Sequence, residues 1–318
     1  MFNKWQYVYE LYKEQSFTNA SKKLFISQPS LSAAIKNIEN KVGTQLFERT
    51  GHGIELTEVG REYVTAAEQI LAIENEFKEK LDDIYNLERG ELIVGGSNYV
   101  SSYILPKIII NFSVLHPNIL IKIEEANSHN LRNMLLSGEI DIVVDNVDEN
   151  SELTKHPLCK EKILLCVPKD YKINEGLEKH HIKPENIRSA DFVLDSVEPV
   201  SIDVFKNENY ILLKDGNDMY MRAFEIFKKR CIEPKVIFRV DQLNISYALA
   251  DSGVGLCFIT DTFFKYAHHH ENVVLYRIAE EFDERTLYIA HKTNKYCSNA
   301  MHEFMNIAKD SFKIADSW

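Results

Sequence analysis

Three polar side chains recur every four residues in one short stretch of the chain, "SQPSLSAAIKNIENKVG". They are Gln28, Ser32 and Lys36, which carry an amide, a hydroxyl and an ammonium group. A spacing of four places them on one face of a helix. Small or amide-bearing side chains allow a helix to lie in the major groove of DNA and to hydrogen-bond the edges of the bases. We therefore predict that this face reads DNA.

A second set of polar residues lies at turns where predicted strands end, mostly before predicted helices. Free backbone N–H groups at such helix starts suit an anion or a carboxylate, although capping of the helix is the alternative use of these side chains. We expect these turns to meet in a cleft. If Asp215, Asp218 and Asp241 also line this cleft, the ligand would carry a positive group. The predicted ligand-binding residues are Ser97, Asn98, Tyr99, Asn127, Ser128, Asp145 and Asn217.

Histidine clusters suggest a metal site, but their spacing does not support one. Adjacent histidines such as His180 and His181, or those of the triple 268–270, point in different directions, and no cysteine or carboxylate completes a ligand pattern. We interpret them as solvated surface residues. No G-x-S-x-G, H-E-x-x-H or Walker-type motif occurs. The sequence therefore predicts no metal, no catalytic residue and no enzymatic function.

The first sixty residues must position the DNA-reading face. Their pattern predicts three helices, with Thr18 capping the second and Ser27 the third, followed by a two-stranded wing in "FERTGHGIEL" that turns at 51–53. The third helix buries a stripe made by Leu31, Ala34, Ile35, Ile38 and Val42. The predicted DNA-binding residues are Thr18, Ser27, Gln28, Pro29, Ser32, Lys36, Arg49 and Thr50.

A long helix follows, with Thr57 as its predicted N-cap. Apolar residues recur along it at nearly heptad spacing, which is typical of a coiled coil. A partner helix from a second copy of the chain is the favoured cover, and packing on its own chain is the alternative. The predicted seam comprises Val59, Tyr63, Ala66, Ile70, Ile73, Phe77, Leu81 and Ile84.

From Gly90 onward, strands alternate with helices, as in "ELIVGGSN", "SSYILPKIIINFSVLH" and "NILIKIEEA". This order is typical of βαβ units and a mostly parallel sheet. A new strand near Lys162 and a late strand in "RTLYIAHK" predict two α/β lobes joined by crossing strands. The predicted domains are 1–58, 59–88 for the long helix, and 89–318, with lobes of about 90–162 plus 268–318, and 163–267.

Charge is spread unevenly along the 318 residues, whose formal net charge is −11. Residues 1–60 carry seven basic and six acidic side chains, so the acidic excess lies in the rest of the chain. DNA contact is therefore expected only in the N-terminal part. The N-terminus lacks a secretion signal and no apolar run is long enough to span a membrane, which predicts a cytoplasmic protein with reduced cysteines.

Four segments of the sequence resemble the LysR-type transcriptional regulators, in order and spacing, over essentially the whole chain. They are "SFTNASKKLFISQPSLSAAIKNIENKVGTQLFERTGHGIELTEVG", "GELIVGGSNYVSSYILPKII", "LLSGEIDIVV" and "ALADSGVGLCFIT". The resemblance implies a winged helix-turn-helix, a dimerising linker helix and a two-lobed effector domain like a periplasmic binding protein. It also implies a homodimer or homotetramer that binds double-stranded promoter DNA and a small-molecule effector, with RNA polymerase as a further candidate partner.

The family pattern places DNA contacts at Ser27, Gln28, Pro29 and Ser32, and at Arg49 and Thr50 in the wing. Many relatives have a basic or amide pair where this chain has Ala33 and Ala34. An alanine cannot pair with guanine, but its methyl group can pack on thymine. We therefore predict an A/T-rich site read largely through DNA shape. A cytoplasmic solute-binding module without a DNA role remains the alternative.

Overall fold

The computed structural model describes residues 3–50, 53–84, 90–147, 151–189, 192–266, 272–280 and 284–315. The chain divides into two compact units, residues 1–81 and 82–318. The first unit is helical with one small hairpin. Its elements are α1 (Asn3–Glu14), α2 (Phe17–Lys23), α3 (Gln28–Val42), β1 (Phe47–Thr50), β2 (Gly53–Leu56) and α4 (Glu58–Ile84).

The core of the first unit joins α1, α3 and the start of α4. Val8, Leu31 and Leu46 are completely buried, and Ile35 and Val64 pack against them. β1 and β2 pair antiparallel, with Phe47 opposite Leu56. This arrangement of three helices, a hairpin and a long helix is the predicted winged helix-turn-helix followed by a linker helix.

Two predictions for the helices of this unit are wrong in detail. Thr18 does not cap α2, because Ser16 is the N-cap and its side chain accepts a hydrogen bond of 3.4 Å from the Asn19 amide. Thr18 lies inside α2 and is exposed. Val42 is also exposed, since α3 ends one residue later at Gly43, in the left-handed conformation.

The long helix α4 begins as predicted, with the Thr57 hydroxyl accepting a hydrogen bond of 3.0 Å from the Gly60 amide. Val64 and Ala67 are buried in the unit, and of the predicted seam Tyr63 packs against the same core and stacks on Trp5. The seam residues Ile73 and Phe77 are 67% and 64% exposed. Their apolar surface is therefore uncovered within the described chain.

The second unit alternates strands and helices. Its strands are β3 (Gly90–Gly96), β4 (Ile119–Glu125), β5 (Ile142–Asp145), β6 (Leu153–Pro168), β7 (Asn209–Leu213), β8 (Lys235–Val240), β9 (Cys257–Thr260), β10 (Val273–Arg277) and β11 (Glu284–Lys292). Its helices are α5 (Leu105–Leu115), α6 (Ser128–Ser137), α7 (Pro184–Ile187), α8 (Asp218–Lys229), α9 (Leu243–Asp251), α10 (Asp261–Tyr266) and α11 (Asn299–Ala315).

The main sheet of the second unit has the strand order β10-β6-β11-β5-β3-β4, and β9 also pairs with β6. β3 runs parallel to β4 and β5, and β7 runs parallel to β8. β11 runs antiparallel to β5 and β6, as β6 does to β9 and β10. The sheet is therefore mixed rather than mostly parallel, because long strands run back through it.

The long strand β6 connects the two lobes. Its first half pairs with β11, and its second half pairs with β9 and β10. It begins at Leu153 rather than near Lys162, and the strand Val273–Arg277, predicted to belong with the first lobe, pairs with Leu164–Pro168 in the second. The predicted pair of α/β lobes joined by crossing strands is confirmed.

Among the described residues, no helix is long and apolar enough to cross a membrane. All five cysteines lie in the described part of the chain and are free of disulfides.

Candidate DNA interface and ligand cleft

The start of α3 is fixed by its cap. The Ser27 hydroxyl accepts a hydrogen bond of 3.2 Å from the Ser30 amide, and the two hydroxyls lie 2.7 Å apart. Pro29 sits in the first turn, where its missing N–H leaves no hydrogen bond unmade. The predicted N-cap is confirmed. The Ser27 side chain is therefore engaged in holding the helix end.

The polar face of α3 is exposed. Gln28, Ser32 and Lys36 are all on the surface, with Pro29 and Ala33 beside them. None of the three polar side chains has a hydrogen bond or ion pair with another described residue. Arg49 and Thr50 lie in β1, but their side chains are outside the described part of the structure.

Buried contacts on the other side of α3 hold this face in place. Leu31, Ile35 and Ile38 are buried in the core of the first unit. The Glu39 carboxylate accepts hydrogen bonds from the amides of Leu46 at 2.9 Å and Phe47 at 3.3 Å. Glu39 thereby joins α3 to the beginning of the wing, a role that the sequence pattern did not reveal because the partners are backbone groups.

Gly60 joins the wing to α4. A Cβ atom at this position would lie 2.0 Å from the Leu46 carbonyl oxygen. The same carbonyl accepts a hydrogen bond of 3.0 Å from the Thr57 amide. Only glycine allows this approach, which explains the final glycine in the quoted segment "GIELTEVG".

A cleft of about 240 Å³ in the second unit brings the predicted effector-binding residues together. All seven line it, although they come from four separate segments of the chain. The lining consists of Ser97, Asn98, Tyr99, Asn127, Ser128, Asp145 and Asn217 together with Glu125, Ala126, Leu213, Asp218, Met219, Asp241, Gln242, Leu243 and Arg285.

Asp145 is the polar centre of the cleft. Its carboxylate accepts hydrogen bonds from the hydroxyls of Ser97 at 3.3 Å and Ser128 at 3.2 Å, and from the Asn146 amide at 2.9 Å. Burial raises the pKa of Asp145 to about 6, although the nearby Arg285 opposes this shift. The carboxyl group therefore titrates close to neutral pH.

An ion-pair network forms the floor beneath Asp145. The buried Arg285 binds the Glu161 carboxylate at 2.6 Å and Asp218 at 3.0 Å, and Arg222 binds Asp218 at 2.9 Å. Thr262 donates a hydrogen bond to Glu161. Burial alone would lower the pKa of Arg285, but the carboxylates around it raise it overall, so the guanidinium stays charged.

The sequence pattern gave no signal for Arg285 and Glu161. They lie on β11 and β6, far apart along the chain, and only the pairing of those two strands brings them together. The sequence identifies Asp218 only as one of several acidic residues near predicted strand ends. In the structure it is the carboxylate shared by Arg222 and Arg285.

Hydrogen bonds connect the two lobes across the cleft. Asn244 donates to Asn98 at 2.7 Å, and Gln242 donates to Glu125 at 3.2 Å. The His129 amide donates to the Gly216 carbonyl at 3.2 Å. These three hydrogen bonds join the two walls of the cleft.

Two of the predicted ligand residues also serve the local structure. Asn127 caps α6 by accepting a hydrogen bond of 2.8 Å from the Asn130 amide, which is the alternative role considered above. Asn217 stands at the N-cap of α8 but donates instead to the Lys214 carbonyl at 3.1 Å.

The interpretation of His180 and His181 as solvated residues is wrong. His180 is buried and donates through Nδ1 to the Glu198 carbonyl at 2.8 Å, while His181 lies 3.2 Å from the Asn174 carbonyl. Both histidines are structural. The triple 268–270 lies outside the described residues, and in the described ranges no group of three or more His, Cys, Asp or Glu could hold a metal ion.

Both units match families of known proteins. Residues 2–61 match the family described as "Bacterial regulatory helix-turn-helix protein, lysR family". Residues 86–313 match the family described as "LysR substrate binding domain". The chain therefore belongs to the LysR family of transcriptional regulators. It is a DNA-binding regulator with an N-terminal helix-turn-helix and a C-terminal effector-binding domain.

Similar proteins agree with this membership over nearly their whole length. The chain is 26% identical to the "Uncharacterized HTH-type transcriptional regulator YcgK" of Bacillus subtilis, covering 97% of this chain and 94% of the relative. It is 27% identical to a "Probable RuBisCO transcriptional regulator" of Trieres chinensis, with coverages of 92% and 91%. The match of the N-terminal unit counts against a solute-binding module without a DNA role.

Solved structures share the fold. A variant of full-length OxyR from Pseudomonas aeruginosa matches with a TM-score of 0.65 at 22% identity, over 99% of this chain and 95% of that one. Full-length CbnR in complex with its target DNA matches with a TM-score of 0.62 at 17% identity, over 98% and 99%.

Proposed function

We propose that the protein binds promoter DNA through the exposed face of α3 and responds to a small molecule bound in the cleft. The observation that carries this proposal is the state of the α3 face. Gln28, Ser32 and Lys36 are exposed and unbonded among the described residues, while the other side of the helix is buried. A rigid helix with free polar groups is what recognition in the major groove requires.

The chemistry of this face indicates how the site is read. Gln28 can pair with adenine, and the Ala33 methyl group can pack on thymine. We therefore propose an A/T-rich operator. Because the first sixty residues carry almost balanced charge, few phosphates are bound by each subunit, and the shape of the DNA supplies a larger share of the recognition.

The exposed seam on α4 supports assembly. Ile73 and Phe77 present apolar surface that a second α4 would cover. We propose a homodimer through α4 that assembles further into a homotetramer through the effector domains. Four subunits would then compensate for weak individual contacts by binding together. RNA polymerase is a candidate partner at the promoter, and a chromosomal target places the protein in the cytoplasm.

The effector is an unidentified small molecule, and we propose no other cofactor. The hydroxyls of Ser97 and Ser128 donate to Asp145, and an incoming polar ligand would exchange these bonds for its own. Because the walls of the cleft are also joined by Asn98–Asn244 and Glu125–Gln242, a ligand changes the balance between open and closed lobes. In the assembly, such a change would alter the placement of the DNA-binding units.

The test is fluorescence anisotropy with the DNA immediately upstream of the coding sequence, compared with a scrambled duplex of the same composition. We expect preferential binding to the upstream DNA and a shallow decline of log affinity with log salt, because few counterions are released. Equal affinity for the two duplexes at every salt concentration would contradict sequence-specific reading at this site.

A further inference from the structure

A second cavity, of about 210 Å³, adjoins the cleft in the effector domain. It shares Ser128, Asp145, Asn217 and Asp218 with the cleft. One wall comes from α6 and β5 and the other from the loop before α8 and from α8 itself. A molecule in the cleft is therefore next to this second space.

Arg132 is the arginine in the lining of this second cavity, which also contains His129. Its Nε atom is buried and has no hydrogen-bond partner. Among the described residues Arg132 also has no ion pair, in contrast to Arg285, which binds two carboxylates. A buried N–H without an acceptor costs free energy, and folded proteins contain few such groups.

The carboxylates that line the same cavity are already engaged. Asp218 binds Arg222 and Arg285, and Asp145 accepts two hydroxyl hydrogen bonds and one from the backbone. Asp215 is exposed and accepts a hydrogen bond of 2.9 Å from the Gly216 amide. Each of these carboxylates accepts hydrogen bonds, so the buried side-chain polar group that lacks a partner in this cavity is a donor, the Arg132 Nε–H.

Apolar side chains complete the cavity. Leu131, Leu135 and Val143 are buried and line it beside Arg132. An aliphatic chain fits such a wall, whereas a highly charged ligand such as a phosphate would leave it unused.

We propose that the second cavity binds the carboxylate of a small organic ligand with a short aliphatic body, and that the Arg132 guanidinium anchors this carboxylate. The ligand extends from the cleft, so the proposal rests on the assignment of the cleft as the effector site. Arginine suits this role because its planar guanidinium pairs with a carboxylate through two parallel hydrogen bonds.

The test uses the full-length protein and three probes of similar size: pentanoate, pentylamine and pentan-1-ol, at matched ionic strength. We expect pentanoate alone to raise the melting temperature of the effector domain, by roughly 3–5 °C at ten times its dissociation constant. Equal shifts with pentylamine or the alcohol, or no shift with pentanoate, would overturn the assignment.

Two variants locate the effect. Arg132→Gln should abolish the shift caused by pentanoate, because the anchor of the carboxylate is removed. Arg188→Gln is the matched control, since Arg188 is an exposed arginine of the same domain outside both cavity linings, and it should keep the full shift. A shift that survives Arg132→Gln would place the pentanoate elsewhere.

The melting temperature of the unliganded protein shows whether Arg132 serves ligand binding or supports the fold. Because Arg132 has no ion-pair partner among the described residues, Arg132→Gln should leave the melting temperature of the unliganded protein unchanged or raise it. A fall of several degrees would mean that Arg132 supports the fold and would overturn the proposal.

DNA binding separates this proposal from the proposed function. If pentanoate produces an Arg132-dependent shift but leaves DNA affinity unchanged, the carboxylate site stands and effector control fails. If pentanoate changes the DNA affinity of Arg132→Gln as strongly as that of the unchanged protein, effector control stands and the carboxylate site fails.

Discussion

The polar side chains of the α3 face and those of the cleft are in opposite states. On α3, Gln28, Ser32 and Lys36 have no bonded partners among the described residues. In the cleft, Ser97 and Ser128 are bonded to Asp145, and the carboxylates below are bonded to arginines. The α3 face can bind a large rigid partner without losing hydrogen bonds, whereas the cleft must break internal hydrogen bonds when it binds a ligand.

The α3 face and the cleft should differ in how much stability a substitution costs. A residue on the α3 face can be replaced with little effect on folding, because no bond within the described chain is lost. Replacement of a residue in the floor of the cleft leaves a buried group without its partner, which costs stability. Stability measurements should therefore separate the two regions before any DNA or ligand is added.

The largest effect is expected at Arg285. Arg285→Met leaves Glu161, which is fully buried, and Asp218 without their shared cation. We expect the free energy of unfolding of the effector domain to fall by about 3–5 kcal/mol, measured by urea denaturation. Lys122→Met is the control, because it breaks an exposed pair with Glu91 and should cost about 1 kcal/mol or less. Similar losses in the two variants would contradict the importance of burial.

In the DNA-binding unit, a substitution at Gly60 should also cost stability, although Gly60 lies away from the polar face of α3. Gly60→Ala puts a methyl group against the Leu46 carbonyl, so we expect a loss of about 3 kcal/mol, although alanine normally favours a helix. Trp5 stacks on Tyr63 in this unit, and its fluorescence reports unfolding in a Trp318→Phe background.

Gly43→Ala is the matched control for Gly60→Ala. Gly43 has a φ of +87° but open space around its Cβ position, so only the backbone cost of about 1 kcal/mol applies. If Gly60→Ala costs no more than this control, the close approach of α4 to the wing is not required.

Phe77 is an apolar side chain left exposed on the unit that contains α3. Phe77→Ser should weaken self-association by roughly 2 kcal/mol, or about thirtyfold, because an apolar side chain is removed from the proposed seam. Analytical ultracentrifugation over a range of concentrations measures this. The neighbouring Lys78→Ser should leave the association constant nearly unchanged, and equal weakening in both variants would place the seam elsewhere.

Asp145 should make the stability of the effector domain depend on pH. Its pKa is raised to about 6 by burial, so the folded protein holds this proton after the unfolded chain has released it. Stability from this group is therefore complete below about pH 4 and is lost as the pH rises to about 6. Asp145→Asn should be more stable than the unchanged protein by about 1–3 kcal/mol at pH 7, with no difference near pH 4.

Thermal unfolding of both proteins between pH 4 and 8 measures the difference in their stability. A difference that grows as the pH falls would contradict the raised pKa of Asp145. The nearby Glu284 has a pKa lowered to about 2 by Lys160 and Lys162, so the stability it provides begins to fall as the pH drops towards about 4. Both proteins contain Glu284, so this contribution cancels in the difference between their curves.

The elements of the DNA-binding unit could be predicted closely from the sequence, because their signals are local. Ser27, Pro29 and Gly43 mark the ends of α3 by their own backbone chemistry. The sequence predicts the wrong N-cap for α2, because Ser16 and Thr18 both accept amide hydrogen bonds well. How α2 packs decides which of the two residues caps it.

The cleft was only half predictable. Ser97 and Ser128 follow strands and could be found from their turns, whereas Arg285 and Glu161 meet only through the pairing of β11 with β6. The direction and length of β6 depend on that pairing too, which is why the sheet was expected to be more parallel than it is. Arg132 gave no signal, since a single arginine on an amphipathic helix is ordinarily at the surface.

If the α3 face reads bases, Gln28→Ala should lower the protein's discrimination between DNA sequences. The measurement is anisotropy on operator DNA and on a scrambled duplex, with Asn37→Ala as control, because Asn37 is an exposed amide of α3 that does not belong to the row of Gln28, Ser32 and Lys36. We predict that Gln28→Ala reduces discrimination between the duplexes by about 1–3 kcal/mol and barely affects scrambled DNA, whereas Asn37→Ala changes neither. Equal losses on both duplexes, or unchanged discrimination, would contradict base reading by this face.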